Sequence, residues 1–241
     1  MVRRGLTMYC TRLQPTVIEP VRALLFDLDG TLLDSAPDLA AALNRLRRER
    51  GMPALREDEL RPFASRGAAG MLEAGLPGLE GAASDAARAR FLEIYAAASC
   101  HRTRPFPGVE TLLKELEGNS VPWGVVTNKI ERLTLPILKH LGWYARAGAI
   151  VCGDTTPTPK PHPAPVLVAC ERLAIEPAAC AFVGDDPRDV AAGRAAGCVT
   201  IGAAWGYLPM GLAGEDLGAD AVCQTPAQIG GVRDSRDAGT G

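Results

Sequence analysis

Asp27 and Asp29 stand two residues apart where the apolar run Val-Arg-Ala-Leu-Leu-Phe, beginning at Val21, ends in the polar loop Asp27-Leu28-Asp29-Gly30-Thr31. Two carboxylates this close repel unless a proton or a cation neutralises one of them. A divalent ion is the natural partner, and Mg²⁺ favours one or two carboxylates together with a phosphate and retained waters. Asp185, with Asp186 and Asp189 behind it, supplies further acid from another strand end. The plainer reading is that Asp27 and Asp29 cap a turn. Gly30 allows a tight turn and close approach to a ligand, while Thr31 offers a hydroxyl and an amide to an anion, a combination suited to phosphate. Thr127 and Asn128 are donors for the same oxygens, or else an ordinary turn. Lys160, in Thr158-Pro159-Lys160-Pro161-His162-Pro163, is presented by a stiffened backbone. There it can offset the carboxylates and hold a phosphate oxygen, or remain a solvated charge; His162 reads as a loop residue.

Such residues need a frame that brings strand ends together. Apolar segments at 123–126, 149–152 and 181–183 each stop at polar residues, namely Thr127-Asn128, Gly153-Asp154 and Gly184-Asp185-Asp186. Helical patterns at 133–141, 166–173 and 190–196 lie between or after them, so the chain reads as βαβ units forming a parallel sheet flanked by helices. In such sheets ligands sit beyond the carboxyl ends of the strands, where every cluster named above falls. Residues 36–104 break the alternation with helical runs at 39–46, 57–63 and 86–95 and no strand, and proline-bearing connections mark both ends. This predicts an inserted all-helical cap over a catalytic core made of 21–35 and 105–228, with a loose leader at 1–20 and a flexible tail at 229–241. In the cap, Ser65-Arg66-Gly67 is the segment expected to enter the site. Gly67 permits close approach and Arg66 pairs with a substrate carboxylate or caps a helix end; His101 and Arg102 are weaker candidates.

The length of 241 residues suits one core with a smaller insert. A formal charge of −2 provides no basic field for nucleic acid or anionic lipid. Seven cysteines without a CxxC spacing argue against a zinc ribbon and a full disulfide framework, and point to a reducing, cytoplasmic setting. No window approaches the ~18 apolar residues of a membrane span. The expected partner is a small phosphorylated metabolite, and the expected state a monomer or homodimer.

Taken together and in order, these motifs resemble those of the haloacid dehalogenase superfamily of phosphotransferases. Asp27-Leu28-Asp29-Gly30-Thr31-Leu32-Leu33-Asp34-Ser35 is similar to the first family motif, Val126-Thr127-Asn128 to the second, Lys160-Pro161 to the third, and Gly184-Asp185-Asp186 with Asp189 to the fourth. The resemblance runs from about residue 21 to 222 and implies a Rossmann-like core. It further implies that Asp27 is a nucleophile forming an aspartyl-phosphate. Asp29 would be an acid and base whose backbone carbonyl ligates Mg²⁺, Asp185 a direct ligand, and Asp186 or Asp189 the residue orienting the ion's waters. Thr127 and Lys160 would neutralise charge on the transferring group. The helical insert is similar to that of phosphoglycolate phosphatases, and the phrases 123–129 and 182–189 look like those of N-acetylmuramic acid 6-phosphate phosphatases of peptidoglycan recycling. A sugar-phosphate mutase of the same superfamily and a catalytically silent phosphometabolite-binding protein are the alternatives. A phosphonate hydrolase would want a Schiff-base lysine, and 36–104 contains no lysine.

Overall fold

The computed structural model describes residues 6–8, 18–229 and 233–234. Six parallel strands form the central sheet: β1 (Ala23–Phe26), β2 (Trp123–Val126), β3 (Ala149–Val151), β4 (Cys180–Gly184), β5 (Val199–Ala203) and β6 (Ala221–Cys223). They lie in the order β6-β5-β4-β1-β2-β3. β1 is thus flanked by β4 on one side and β2 on the other, and the crevice at its carboxyl end is the topological switch point of the sheet. Register makes the convergence concrete. Phe26 pairs with both Val125 and Val183, so the chain leaves all three strands at one level and sets Asp27, Thr127 and Asp185 around a common rim.

β1, β2 and β4 are apolar at nearly every position because the sheet is covered on both faces. Leu24 and Phe26 belong to one core cluster, Ala23 and Leu25 to the other, as the two-residue period of a strand requires. Four helices precede the second strand as the insert: α1 (Ala36–Glu49), α2 (Glu57–Leu60), α3 (Gly67–Gly75) and α4 (Gly81–Ala96). Four more cover the sheet: α5 (Val109–Gly118), α6 (Glu131–His140), α7 (Ala164–Leu173) and α8 (Pro187–Ala196). The helical run expected over 57–63 is cut at Leu60, where the chain tightens into a 3-10 turn, Arg61–Arg66, with Pro62 in its first turn. α8 is capped at both ends. Asp186 accepts from the Arg188 N–H, Pro187 opens the helix, and Gly197 closes it with φ +84°.

The connections between insert and sheet are joined to each other. Leu33–Asp34 pairs antiparallel with Arg104–Pro105, and the Asp38 carboxylate accepts from the backbone N–H of Arg102 and Thr103 and from the Thr103 hydroxyl. Within the expected leader and tail the structure differs from the reading of loose chain. Leu6–Met8 pairs antiparallel with Ile18–Val21 and with Arg233–Asp234. The other positions of those two segments up to 20 and from 230 lie outside the described residues. None of the six described cysteines forms a disulfide, and no described helix is long and apolar enough to cross a membrane.

Candidate active site

Asp27, Asp185 and Asp189 bring carboxylate oxygens within 4.8 Å of one another, and all three are buried. Lys160 Nζ donates to Asp27 Oδ1 at 2.7 Å and to the Val126 carbonyl at 2.8 Å, and pairs with Asp189 Oδ1 at 2.7 Å. All three ammonium protons are therefore engaged by the protein. Burial alone would lower its pKa; Asp189 and Asp27 outweigh that and raise it. Asp185 has no cationic partner among the described residues. Thr31 Oγ1 donates to its Oδ1 at 3.0 Å and the Tyr207 N–H to its Oδ2 at 2.8 Å. Burial, then the Asp27 and Asp189 charges, push Asp185 well above the ordinary carboxylate range. Asp189 is pushed up to about 7 by burial and by Asp27, against the pull of Lys160.

Asp29 faces a different cation. Lys129 Nζ donates to Asp29 Oδ1 at 2.7 Å, and Ser35 Oγ donates to the same oxygen at 2.5 Å. The Asp29 carboxylate thus stands outside the cluster formed by the Asp27, Asp185 and Asp189 side chains. A physical reason is at hand: the buried Lys129 ammonium neutralises it locally. Lys129 also donates to Tyr95 Oη of α4 at 2.8 Å, so the cap reaches Asp29 through one bridging cation. Burial would lower the Lys129 pKa, yet Asp29 and Tyr95 raise it, and burial pushes Tyr95 up to about 12.

The fold gives the other expected residues partners within the protein. Gly30, at φ +96°, would place a Cβ 2.1 Å from Asp185 Oδ2, so its glycine makes room for that carboxylate. Thr31 is wholly buried with its hydroxyl on Asp185 and its carbonyl accepting from Trp205 Nε1. The Asn128 amide is engaged at both ends, donating to the Lys160 carbonyl and accepting from the Lys160 N–H, and so fixes the lysine loop. Thr127 lines the pocket, and its Oγ1 accepts from the Lys129 N–H at 3.1 Å, which leaves its own proton to donate.

Asp186, weighed beside Asp189 as the residue orienting a metal's waters, instead holds Arg188 and the cap. Arg188 Nε donates to Asp186 Oδ1 at 2.7 Å, Ser65 Oγ to Asp186 Oδ2 at 2.7 Å, and Arg188 Nη2 to the Ser65 carbonyl at 3.1 Å. Burial raises the Asp186 pKa, but Arg188 outweighs it and holds the carboxyl low. Arg66 and Gly67 do line the pocket, yet the Arg66 guanidinium pairs with Glu73 on its own cap helix. Gly67, at φ +55°, has open space beside its Cα. Arg102 pairs with Glu57. Lys129, Tyr95 and Tyr207 carry no sequence signal that separates them from surface or core residues, because the hydrogen-bond partners of their side chains lie dozens of residues away or more.

Replacing Lys129 by methionine is expected to lower kcat for a small aryl phosphate about 10²-fold with little change in KM, since Asp29 loses the contact that aims it. Tyr95→Phe removes one hydrogen bond and is expected to cost about 1 kcal/mol of stability. Steady-state kinetics beside thermal unfolding separates the two effects.

Buried carboxylates with a lysine among them at the switch point of a parallel sheet, under a helical insert, define a phosphoryl-transfer type of site. Residues 24–203 match the haloacid dehalogenase-like hydrolases, and the chain belongs to that family. It is 44% identical over 211 residues to a phosphoglycolate phosphatase of Xanthomonas campestris, covering 86% of this chain and 94% of the relative. It is 38% identical over 218 residues to an N-acetylmuramic acid 6-phosphate phosphatase of Pseudomonas putida, covering 89% and 97%. A crystal structure from Haemophilus somnus, described as a predicted phosphoglycolate phosphatase, superposes with a TM-score of 0.78 at 28% identity, covering 87% of this chain and 96% of that one.

Proposed function

We propose that this chain is a magnesium-dependent phosphatase that hydrolyses a small acidic phosphomonoester in the cytoplasm through an aspartyl-phosphate on Asp27. The observation that carries this reading is the charge count at the strand ends. Two of the three buried carboxylates share one ammonium and the third, Asp185, has no cationic partner among the described residues, so ionising all three leaves two uncompensated negative charges on hard oxygen donors. That donor set fits a small divalent cation, held by Asp27 and Asp185 with the backbone carbonyl of Asp29 and with Asp189 close by. When bound, the ion offsets the surplus charge and draws phosphoryl oxygens toward Asp27.

The side chains have oxygens to spare for the chemistry. Lys160 takes Asp27 Oδ1, leaving Oδ2 to attack phosphorus as the bond to the leaving oxygen breaks. Ser35 and Lys129 both take Asp29 Oδ1, leaving Oδ2 to give its proton to the departing alkoxide. The same Oδ2 then accepts a proton from the water that attacks the aspartyl-phosphate; the bond from phosphorus to the Asp27 oxygen breaks, inorganic phosphate is released and the Asp27 carboxylate is restored. Thr127 and Lys160 hold charge in place while it moves, and the cap over the pocket limits bulk water.

The test is phosphate release from p-nitrophenyl phosphate with Mg²⁺ and with EDTA. Metal-dependent release is expected. Its absence across a panel of phosphoesters including 2-phosphoglycolate and N-acetylmuramic acid 6-phosphate would favour a silent binding protein, and isomer exchange without release a mutase. A pH dependence goes with it. A carboxyl whose pKa rises on folding contributes stability fully below its unfolded value of about 4 and loses it as pH climbs through the folded value. With Asp185 and Asp189 both raised, EDTA-treated protein is expected to lose stability between about pH 4 and 7. Mg²⁺ competes with those protons, so the stabilisation it gives, about 2.7 kcal/mol at 100 times Kd, should be larger at pH 8 than at pH 5 at a fixed Mg²⁺ concentration. A gain independent of pH would place the ion elsewhere.

A further inference from the structure

We propose that Arg88 determines specificity, and that the face of α4 it heads selects phosphomonoesters of sugar size whose leaving group carries an anionic group about 10 Å from the scissile end. This rests on the phosphatase reading above and names its substrate class. Arg88, Phe91, Leu92 and Tyr95 all line the active-site pocket. Their spacing of i, i+3, i+4 and i+7 puts them on one helix face, a single wall running from the depth of the site outward.

The deep end of that wall is fixed. Tyr95 Oη accepts from Lys129, which donates to Asp29, the group that protonates the leaving oxygen. Tyr95 therefore marks the height at which the scissile bond lies. Seven residues at 1.5 Å each carry the helix about 10 Å further to Arg88, and because helical side chains lean the same way the separation is kept at their tips. Between the two, Phe91 and Leu92 line the pocket together with Leu39 and Leu133, an apolar lining suited to the apolar face of a ring or an acyl methyl.

Charge decides where an anionic substituent goes. Lys160 pairs with Asp27 and Asp189, Lys129 with Asp29, Arg188 with Asp186, and Arg66 with Glu73. Arg88 lines the same pocket and has no partner among the described residues. A second anion on the substrate meets an uncompensated guanidinium there and neutralised pairs elsewhere. In a two-carbon acid the carboxyl carbon is two bonds from the ester oxygen, well short of Arg88. A hexose bearing an acidic ether spans the distance.

The experiment compares kcat/KM for N-acetylmuramic acid 6-phosphate, N-acetylglucosamine 6-phosphate and 2-phosphoglycolate in the wild type, R88A and R88K, all with Mg²⁺. The two sugars differ by the lactyl carboxylate. The wild type is expected to prefer the acidic sugar at least tenfold over the neutral one and over 2-phosphoglycolate. R88A should bring the acidic-to-neutral ratio down at least tenfold, mainly through KM, and R88K should restore part of it. Arg88 is exposed and alanine favours helix, so R88A is expected to fold, which its melting curve checks. An unchanged ratio in R88A, a wild-type preference for 2-phosphoglycolate, or hydrolysis of p-nitrophenyl phosphate with neither sugar accepted overturns the inference while leaving a phosphatase. Failure to hydrolyse even p-nitrophenyl phosphate overturns the phosphatase reading and this inference with it.

Discussion

Asp27→Asn is expected to lower kcat by about 10⁴-fold or more while the protein melts within a degree or two of wild type. The amide keeps the shape of the carboxylate and can still accept from Lys160 through its oxygen, so the packing around β1 persists. What disappears is the anionic Oδ2 that attacks phosphorus. Covalent labelling separates this from a loss of binding. Wild-type protein quenched in acid during turnover should carry acid-stable, hydroxylamine-sensitive phosphate, and the variant none. Because one buried negative charge of the cluster is gone, the variant should also show a smaller gain in Tm on adding Mg²⁺. Turnover comparable to wild type would remove Asp27 from the reaction.

Lys160→Met carries the second large effect, and its two signatures point in different directions. Removing one partner of a buried ion pair leaves the others uncompensated, so metal-free protein is expected to lose about 3 kcal/mol of stability at neutral pH. Asp27 and Asp189 both lose their shared cation, and a carboxylate that must stay charged at pH 7 becomes harder to keep so. Activity should fall about 10³-fold, since Asp27 loses the contact that fixes its carboxylate for attack. Magnesium should then stabilise the variant more than the wild type, having a more negative site to fill, yet fail to restore turnover. If Mg²⁺ restored both stability and rate, Lys160 would serve only to offset charge at rest. Calorimetric or fluorescence-detected melting with and without metal, beside phosphate release, reads both quantities.

Much of the architecture was legible because it depends on local pattern. An apolar run that stops at Asp27, another that stops at Thr127 and a third that stops at Asp185 are each visible within about eight residues. The rule that ligands gather beyond strand ends makes one site of them. Helix positions inside the insert followed from periodicity less well. Pro62 cuts α2 short, and α3 shows no apolar run of its own before it packs on α1. The roles within the site were legible only where a residue type admits few partners. A lysine beside three aspartates is one such case. The types of Asn128 and Thr31 allow them to donate to a ligand, but only the fold shows the Asn128 amide on Lys160 and the Thr31 hydroxyl on Asp185.

The order of residues along this chain determined that strand ends would carry acid, and that a helical body without lysine would sit between Ser35 and Arg104. Only the folded molecule decided which acid meets which cation. Asp29 and Lys129 are 100 residues apart, and Tyr95 and Ser65 reach the core from the insert. Hydrogen bonds and ion pairs act over about 3 Å, so their assignment depends on side-chain directions set by tertiary packing. Periodicity in the chain fixes the facing of an element but not the neighbour it will meet.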